Sequence, residues 1–328
     1  MKVGIGVALL CAVVFGCSGK KADRGAPPAA TAEATQIRVA LNWKAEPEFG
    51  GLYEAQRTHA FRNRHLEVRI TGGPGAPVVQ MVDASEAEFG IVGADEVVLA
   101  RDRGADIVAV FATYQTNPQG VMVHGSRGLR SLEELFAAGG TLAVEPGMAY
   151  LKYFEKHFDL GKMRIVPYGY SIAPFLKDPM MAQQVFITAE PIAARRQGGD
   201  PQVFLIAQSG FNPYAAVVIT TGERVRKDSA RVAAFVAALR EGWRSYLDRP
   251  TDANAMMAKL NQEMDAETFR LGAEAQKPLI DDAFARKNGI GAMSLERWTT
   301  LSEQLRELGL IDAEPQPTGC FTSLGSIE

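Results

Sequence analysis

From Gln36 onward, short apolar runs alternate with longer amphipathic stretches. Residues 37–41 (I-R-V-A-L) read as a buried strand, and residues 49–61 as the helix after it. Residues 66–70 (L-E-V-R-I), 88–92 (E-F-G-I-V) and 106–111 (D-I-V-A-V-F) predict three more strands, with helical segments at 78–83 and 95–103 between them. The same pattern restarts in the middle of the chain. Ser131 and Glu134 form a capping box, and strands are predicted at 141–144, 163–168, 185–188, 202–207 and 215–220, with a helix after Glu145-Pro146-Gly147. Strand–helix alternation with short connections predicts an α/β architecture of parallel sheets covered by helices on both faces.

The last hundred residues change period. Val232, Phe235, Val236, Leu239, Trp243 and Leu247 recur at helical spacing behind Ser229, read as the cap. Leu295, Trp298, Leu301, Leu305 and Leu308 repeat that spacing, and Gly309 stands as the stop. Trp243 and Trp298 lie on these stripes and are therefore assigned to the core.

The N-terminus follows another pattern. Met1-Lys2 precedes 14 uncharged, apolar residues, 3–16. A bilayer-spanning helix needs about 20 residues, whereas a secretory leader core of about 7–15 fits. The stretch ends V-F-G-C at Cys17 and resembles the lipobox of bacterial lipoproteins, whose cysteine is lipidated and becomes the first mature residue. The other reading is an ordinary signal peptide cut in the Ala-rich segment 26–32. Residues 18–35 are rich in Ala, Pro, Gly and Lys without apolar periodicity, and read as a flexible tether.

Composition narrows the classes. A length of 328 residues suits about two domains of roughly 150 residues. With 35 Lys+Arg against 38 Asp+Glu, no basic surplus exists to neutralise phosphates, so no nucleic-acid partner is expected. A mean hydropathy of −0.06 excludes a polytopic membrane protein. On the lipoprotein reading Cys11 would leave with the leader, Cys17 would be lipidated and Cys320 would stand alone, so neither a disulfide framework nor a cysteine metal site is expected. His59, His65, His124 and His157 are scattered without H-x-x-x-H spacing, and neither G-x-S-x-G nor H-E-x-x-H occurs. No metal, cofactor or catalytic centre is therefore expected.

Three groups of segments carry a resemblance. These are L-N-W-K-A-E-P-E-F-G-G-L-Y-E-A, then G-A-P-V-V-Q-M-V with E-F-G-I-V, then T-A-E-P followed by F-N-P-Y-A-A-V-V-I-T. In this order they resemble the solute-binding proteins of ABC importers related to thiamine-pyrimidine-precursor (hydroxymethylpyrimidine) binders, and more distantly nitrate-, sulfonate- and taurine-binding proteins. The resemblance spans roughly residues 37–310. It implies a type II periplasmic-binding-protein fold, two α/β lobes with a ligand cleft between them and a helical C-terminal tail. Residues 1–16 would be the leader and 17–35 the tether. Lobe one would take 36–120 plus 216–328, and lobe two 121–215, with crossings near 115–121 and 211–215. It further implies a monomeric lipoprotein at the periplasmic or cell surface, held to the membrane by its lipid. Its partners would be a small-molecule ligand and the ABC permease and ATPase subunits.

Ligands in such folds meet the carboxyl ends of strands and helix N-termini. Trp43 follows the first strand and reads either as a stacking platform or as a cover for the core edge; the resemblance favours the platform, because the family carries a Trp here. Phe49, where thiamine-precursor binders often carry His or Thr, opens the first helix with Gly50 and Gly51. These glycines admit either close approach of a ligand to the backbone or helix–sheet packing. Gly75 and Ala76 in G-G-P-G-A-P are expected to line the cleft. Glu145 and Glu190 each follow a lobe-two strand and either hold a donor group or complement a helix dipole; Asp95-Glu96 reads more easily as a helix first turn. Tyr168, Tyr170 and Tyr214 near strand ends, and Gln115 at the first crossing, are candidate donors to ligand or to neighbouring carbonyls.

Trp43 with Glu145 and Glu190 suits a planar, nitrogen-bearing heteroaromatic such as a pyrimidine-like vitamin precursor. Two other functions remain open at this point. One is a ligand-sensing lipoprotein signalling to a membrane partner. The other is a pyrimidine-synthase-like enzyme of the same fold, for which cysteines at 11, 17 and 320 supply no iron-bearing cluster.

Overall fold

The computed structural model describes residue 1 and residues 34–312, 314 and 316–323. The leader, Cys17 and the tether up to residue 33 lie outside the described residues.

Ten strands form two sheets. In chain order they are β1 (Thr35–Leu41), β2 (Leu66–Gly72), β3 (Phe89–Val92), β4 (Ile107–Tyr114), β5 (Gln119–His124), β6 (Gly140–Val144), β7 (Met163–Pro167), β8 (Met181–Phe186), β9 (Pro201–Leu205) and β10 (Ala215–Thr221). The first sheet has the order β2-β1-β3-β10-β4, and the second β7-β6-β8-β5-β9. Neither is purely parallel, which corrects the expectation from strand–helix alternation. β10 runs antiparallel to β3 and β4, and β5 runs antiparallel to β8 and β9. The reason is connectivity. Each of these strands enters its sheet from the other lobe, without the crossover helix that would turn it parallel to its neighbours.

Helices follow the parallel strands as the sequence pattern indicates. Gly50–Arg57 follows β1, Ala94–Asp102 follows β3, Ala149–His157 follows β6 and Glu190–Arg196 follows β8. Ser131 accepts a hydrogen bond from the Glu134 N–H at 3.2 Å, while the Glu134 carboxylate returns to the Arg130 backbone N–H, one residue earlier than a standard box. Ser229 is the first residue of helix Ser229–Asp248; Asp228 occupies the cap, and no side chain caps it.

The helical tail closes over the first sheet. Trp243 is 2% exposed and Trp298 is fully buried, as their stripes indicate. Helix Ser229–Asp248 lies so close to helix Gly50–Arg57 that a Cβ on Gly51 would come 2.3 Å from the Trp243 ring, and one on Gly50 2.2 Å from Tyr246. The two glycines are thus a packing requirement between helices.

Segments 115–118 and 206–214 link the two sheets, and the tail fastens both. Arg297, on helix Leu295–Glu307, donates from Nη1 to the Gln115 carbonyl and from Nη2 to the Asn212 carbonyl at 2.8 Å. Its guanidinium lies 3.8 Å from the centroid of the Tyr214 ring. The Asn117 N–H also donates to Asn212 Oδ1 at 2.9 Å, tying one link to the other.

Candidate ligand-binding site

A cleft of about 350 Å³ opens between the two sheets, within the usual range for small-molecule pockets. Its walls are strand ends: Asn42 and Trp43 after β1, Val92 and Gly93 at the end of β3, Glu145 after β6, Tyr168 after β7 and Gln184–Phe186 at the end of β8. These residues belong here because a parallel strand delivers its C-terminal end, and the N-terminus of the next helix, to the same edge of the sheet.

Trp43 spans the cleft. It packs on the core around Phe49 and Tyr246 and also on the lobe-two cluster around Tyr168 and Phe175. Its ring centroid lies 5.3 Å from that of Tyr170, tilted by 47°. Tyr170 has φ +55°, left-handed and strained for a side chain of this size, a conformation that recurs at ligand clamps. Its hydroxyl donates to Glu145 Oε1 at 3.2 Å. Tyr168, 5.4 Å from Tyr170 between ring centroids, donates to Glu190 Oε1 at 3.0 Å. Glu190 is the first residue of its helix and also accepts the Phe186 N–H at 2.9 Å. Gln184 Oε1 accepts from the Glu145 N–H at 2.6 Å and from the Tyr150 hydroxyl at 2.7 Å, which fixes the Glu145 backbone.

Of the residues singled out from sequence, Trp43, Phe49, Gly75, Ala76, Glu145, Tyr168, Glu190 and Tyr214 line this one cleft. Gly50, Gly51 and Gln115 do not. The two glycines face helix Ser229–Asp248, and the Gln115 amide is spent on the Ala292 carbonyl at 3.0 Å. Tyr214 reaches the cleft with its ring, but its hydroxyl accepts the Ser294 N–H at 2.9 Å, so it is a pillar of the linking segment.

Residues that sequence reasoning passed over include Glu46, Glu48, Asn117, Gln119, Tyr150 and Gln184. Glu46 and Glu48 flank Pro47 between β1 and its helix, the same strand-end position that marks Trp43; that was the available signal. Asp95 and Glu96 line the cleft too, although they also serve the helix first turn, where the Glu96 carboxylate accepts the Gly93 N–H at 2.9 Å.

Six carboxyl groups therefore face the cleft, and among the described residues no Lys, Arg or His lines it. Burial pushes Glu46 up to about 8, with Glu190 adding repulsion and the Trp43 and Asn261 side chains pulling the other way. Glu48 is held well above the usual carboxylate range by burial, then by Glu46 and Glu190. Glu190 is raised by burial despite its backbone and Tyr168 donors. At the other end, burial raises Glu96 to about 7, with Asp95 and Glu145 contributing, and burial raises Asp95 as well. An anion entering this site would have to shed its hydration and would disfavour ionisation of these acids still further. A donor-rich or cationic group would meet acceptors.

The family model described as "NMT1/THI5 like" matches residues 46–253, well over half of the chain. The riboflavin-binding protein RibY of Chloroflexus aurantiacus is 22% identical over 318 residues, covering 91% of this chain and 88% of that protein. The periplasmic aliphatic sulphonate-binding protein SsuA of Escherichia coli superposes with a TM-score of 0.67 at 14% identity, covering 89% of this chain and 94% of that one. The alkanesulfonate-binding SsuA of Xanthomonas axonopodis, bound to MOPS, gives 0.64 at 12% identity over 89% and 99%. These likenesses give the fold: type II periplasmic-binding, two α/β lobes with a helical tail.

Proposed function

The chain belongs to the NMT1/THI5-like family, and on that premise we propose that it is the extracytoplasmic solute-binding protein of an ABC importer. It captures a small planar nitrogen heterocycle and presents it to the permease. The observation that carries this reading is the cleft itself. Six carboxyls line it together with Trp43, whose ring lies 5.3 Å from that of Tyr170, and no Lys or Arg lines it among the described residues. The solute's ring stacks on Trp43, and its amino or ring N–H groups donate to Glu145 and Glu190 from the second lobe. Neither acid is paired with Lys or Arg among the described residues; their partners are tyrosines and backbone N–H groups. The RibY relative is named for riboflavin, itself a planar nitrogen heterocycle, which supports the reading. The SsuA proteins are named for sulfonates, and an acid-lined cleft favours the opposite ligand charge.

Capture proceeds by hinge closure about segments 115–118 and 206–214, which brings the lobe-two acids and Tyr170 over the ring and excludes water. The mature chain is anchored by lipid at Cys17. One acyl chain binds membrane only marginally, so the resemblance to lipoproteins implies a diacylglyceryl group there.

Native mass spectrometry of solute carried through purification tests the ligand class. The expected mass is that of a nitrogen heterocycle; a sulfonate or simple oxyanion retained through purification overturns the reading.

A further inference from the structure

Glu48 stands apart from the other cleft acids. It is 7% exposed, lines the cleft, and its carboxyl makes no hydrogen bond or ion pair among the described residues. Its carboxyl oxygens, unpartnered but not sealed from solvent, open onto the cleft, where a group from outside can reach them. Glu48 also has company. Glu46 precedes it by two residues on the same segment, and Glu190 comes from the opposite lobe; both repel it.

We propose that Glu46, Glu48 and Glu190 form one pocket for a positively charged organic group of the solute, an ammonium or amidinium, shared between the two lobes. This deepens the proposed function and rests on the cleft being the solute site. Among the described residues, no three or more His, Cys, Asp or Glu side chains are placed to hold one metal ion. Three acids contributed by two lobes suit a larger cation with several N–H donors. Glu190 and Glu46 each keep existing donors, Tyr168 and Asn261, so Glu48 is the acceptor left free.

The pocket also couples the lobes. Unoccupied, it sets two lobe-one acids against Glu190 of lobe two, and ionisation of all three disfavours closure. A cation between them reverses the sign of that interaction. The charged and titratable groups facing the trio are few. Lys44 attracts Glu46 but is paired with Glu263, while Tyr114 and Tyr168 are held neutral by burial with the acids nearby. The empty pocket therefore holds protons, and binding a cation releases them.

Calorimetry on the full chain with three probes tests this. Benzamidinium is a planar cation, benzamide its neutral isostere, and cyclohexanecarboxamidinium a cation without the flat ring. Benzamidinium should bind at least about tenfold tighter than benzamide. At about pH 6.5, titrations in buffers of different ionisation enthalpy should show protons released on binding. Glu48→Gln, confirmed as folded by thermal unfolding, should lose about tenfold in benzamidinium affinity and most of the proton release. The proposal is overturned if benzamide binds as tightly as benzamidinium, if neither binds by about 10 mM, or if Glu48→Gln retains the preference. If the two amidiniums bind alike, the cation pocket stands and the planar-ring reading fails. If benzamide equals benzamidinium and both exceed the cyclohexane probe, the planar reading stands and the cation pocket fails.

Discussion

Arg297 joins the helical tail to both segments that link the two sheets, so replacing it by alanine loosens those segments while removing no residue that lines the cleft. The side chain makes two charge-assisted hydrogen bonds, to the Gln115 and Asn212 carbonyls, and covers Tyr214. Such bonds contribute about 1.5–3 kcal/mol each and the aromatic contact about 0.5–2. Against this, the guanidinium is desolvated, which lowers its pKa, and its Nε is buried without a partner. Removing a partly uncompensated charge recovers part of the loss, so Arg297→Ala should destabilise by about 2–4 kcal/mol net. Arg297→Lys keeps the charge, but one ammonium cannot reproduce the two-pronged geometry, so at least half of the loss should persist. Urea unfolding measures the first quantity. Solution scattering measures the second effect, a larger radius of gyration in the empty mutant and a higher ligand concentration needed for contraction. A variant within about 0.5 kcal/mol of the parent, with unchanged scattering, would refute the clasp.

Other outcomes follow from single contacts. Trp43→Ala and Glu145→Gln should each weaken solute binding by about 1–3 kcal/mol in calorimetry, the scale of a lost stack or charge-assisted contact; parental affinity in both would remove the stacking model. Gly51→Ala should lower stability by about 1–3 kcal/mol or more through its clash with Trp243, with solute affinity unchanged; the reverse pattern would return the glycine to the ligand. Glu46 ionises near 8 in the fold against about 4.5 ordinarily, so the native state binds more protons between these values. Its stabilising contribution is full below about pH 4.5, is lost as pH rises through 8, and amounts to about 3–5 kcal/mol. Glu46→Gln should flatten that part of the stability profile, and an unchanged slope would show that Glu46 titrates normally. Cys17→Ser should move the protein from the membrane to the soluble fraction, and continued membrane association would exclude the lipid anchor.

Sequence by itself determined what depends on neighbours along the chain. Strands β1 to β4 were legible because a buried strand needs only a contiguous apolar run, and the tail helices because their stripes repeat within a few turns. Trp43, Glu145 and Glu190 were legible as site candidates because a residue just past a parallel strand sits at the cleft edge in this architecture. Tertiary structure decided what depends on partners far along the chain. Q-G-V-M-V-H became β5 only because β8 and β9 supply hydrogen bonds on both its edges, and β10 turned antiparallel because it returns from the other lobe. Gly50 and Gly51 at a helix start could serve ligand approach or packing by sequence, and only Trp243 and Tyr246 lying against them decides for packing, here between helices. Glu46 and Glu48 carry no local mark of burial, since charged residues beside a proline ordinarily face water. Their displaced ionisation arises from desolvation and from Glu190 across the cleft, an electrostatic environment that exists only once two lobes have closed around the same small volume.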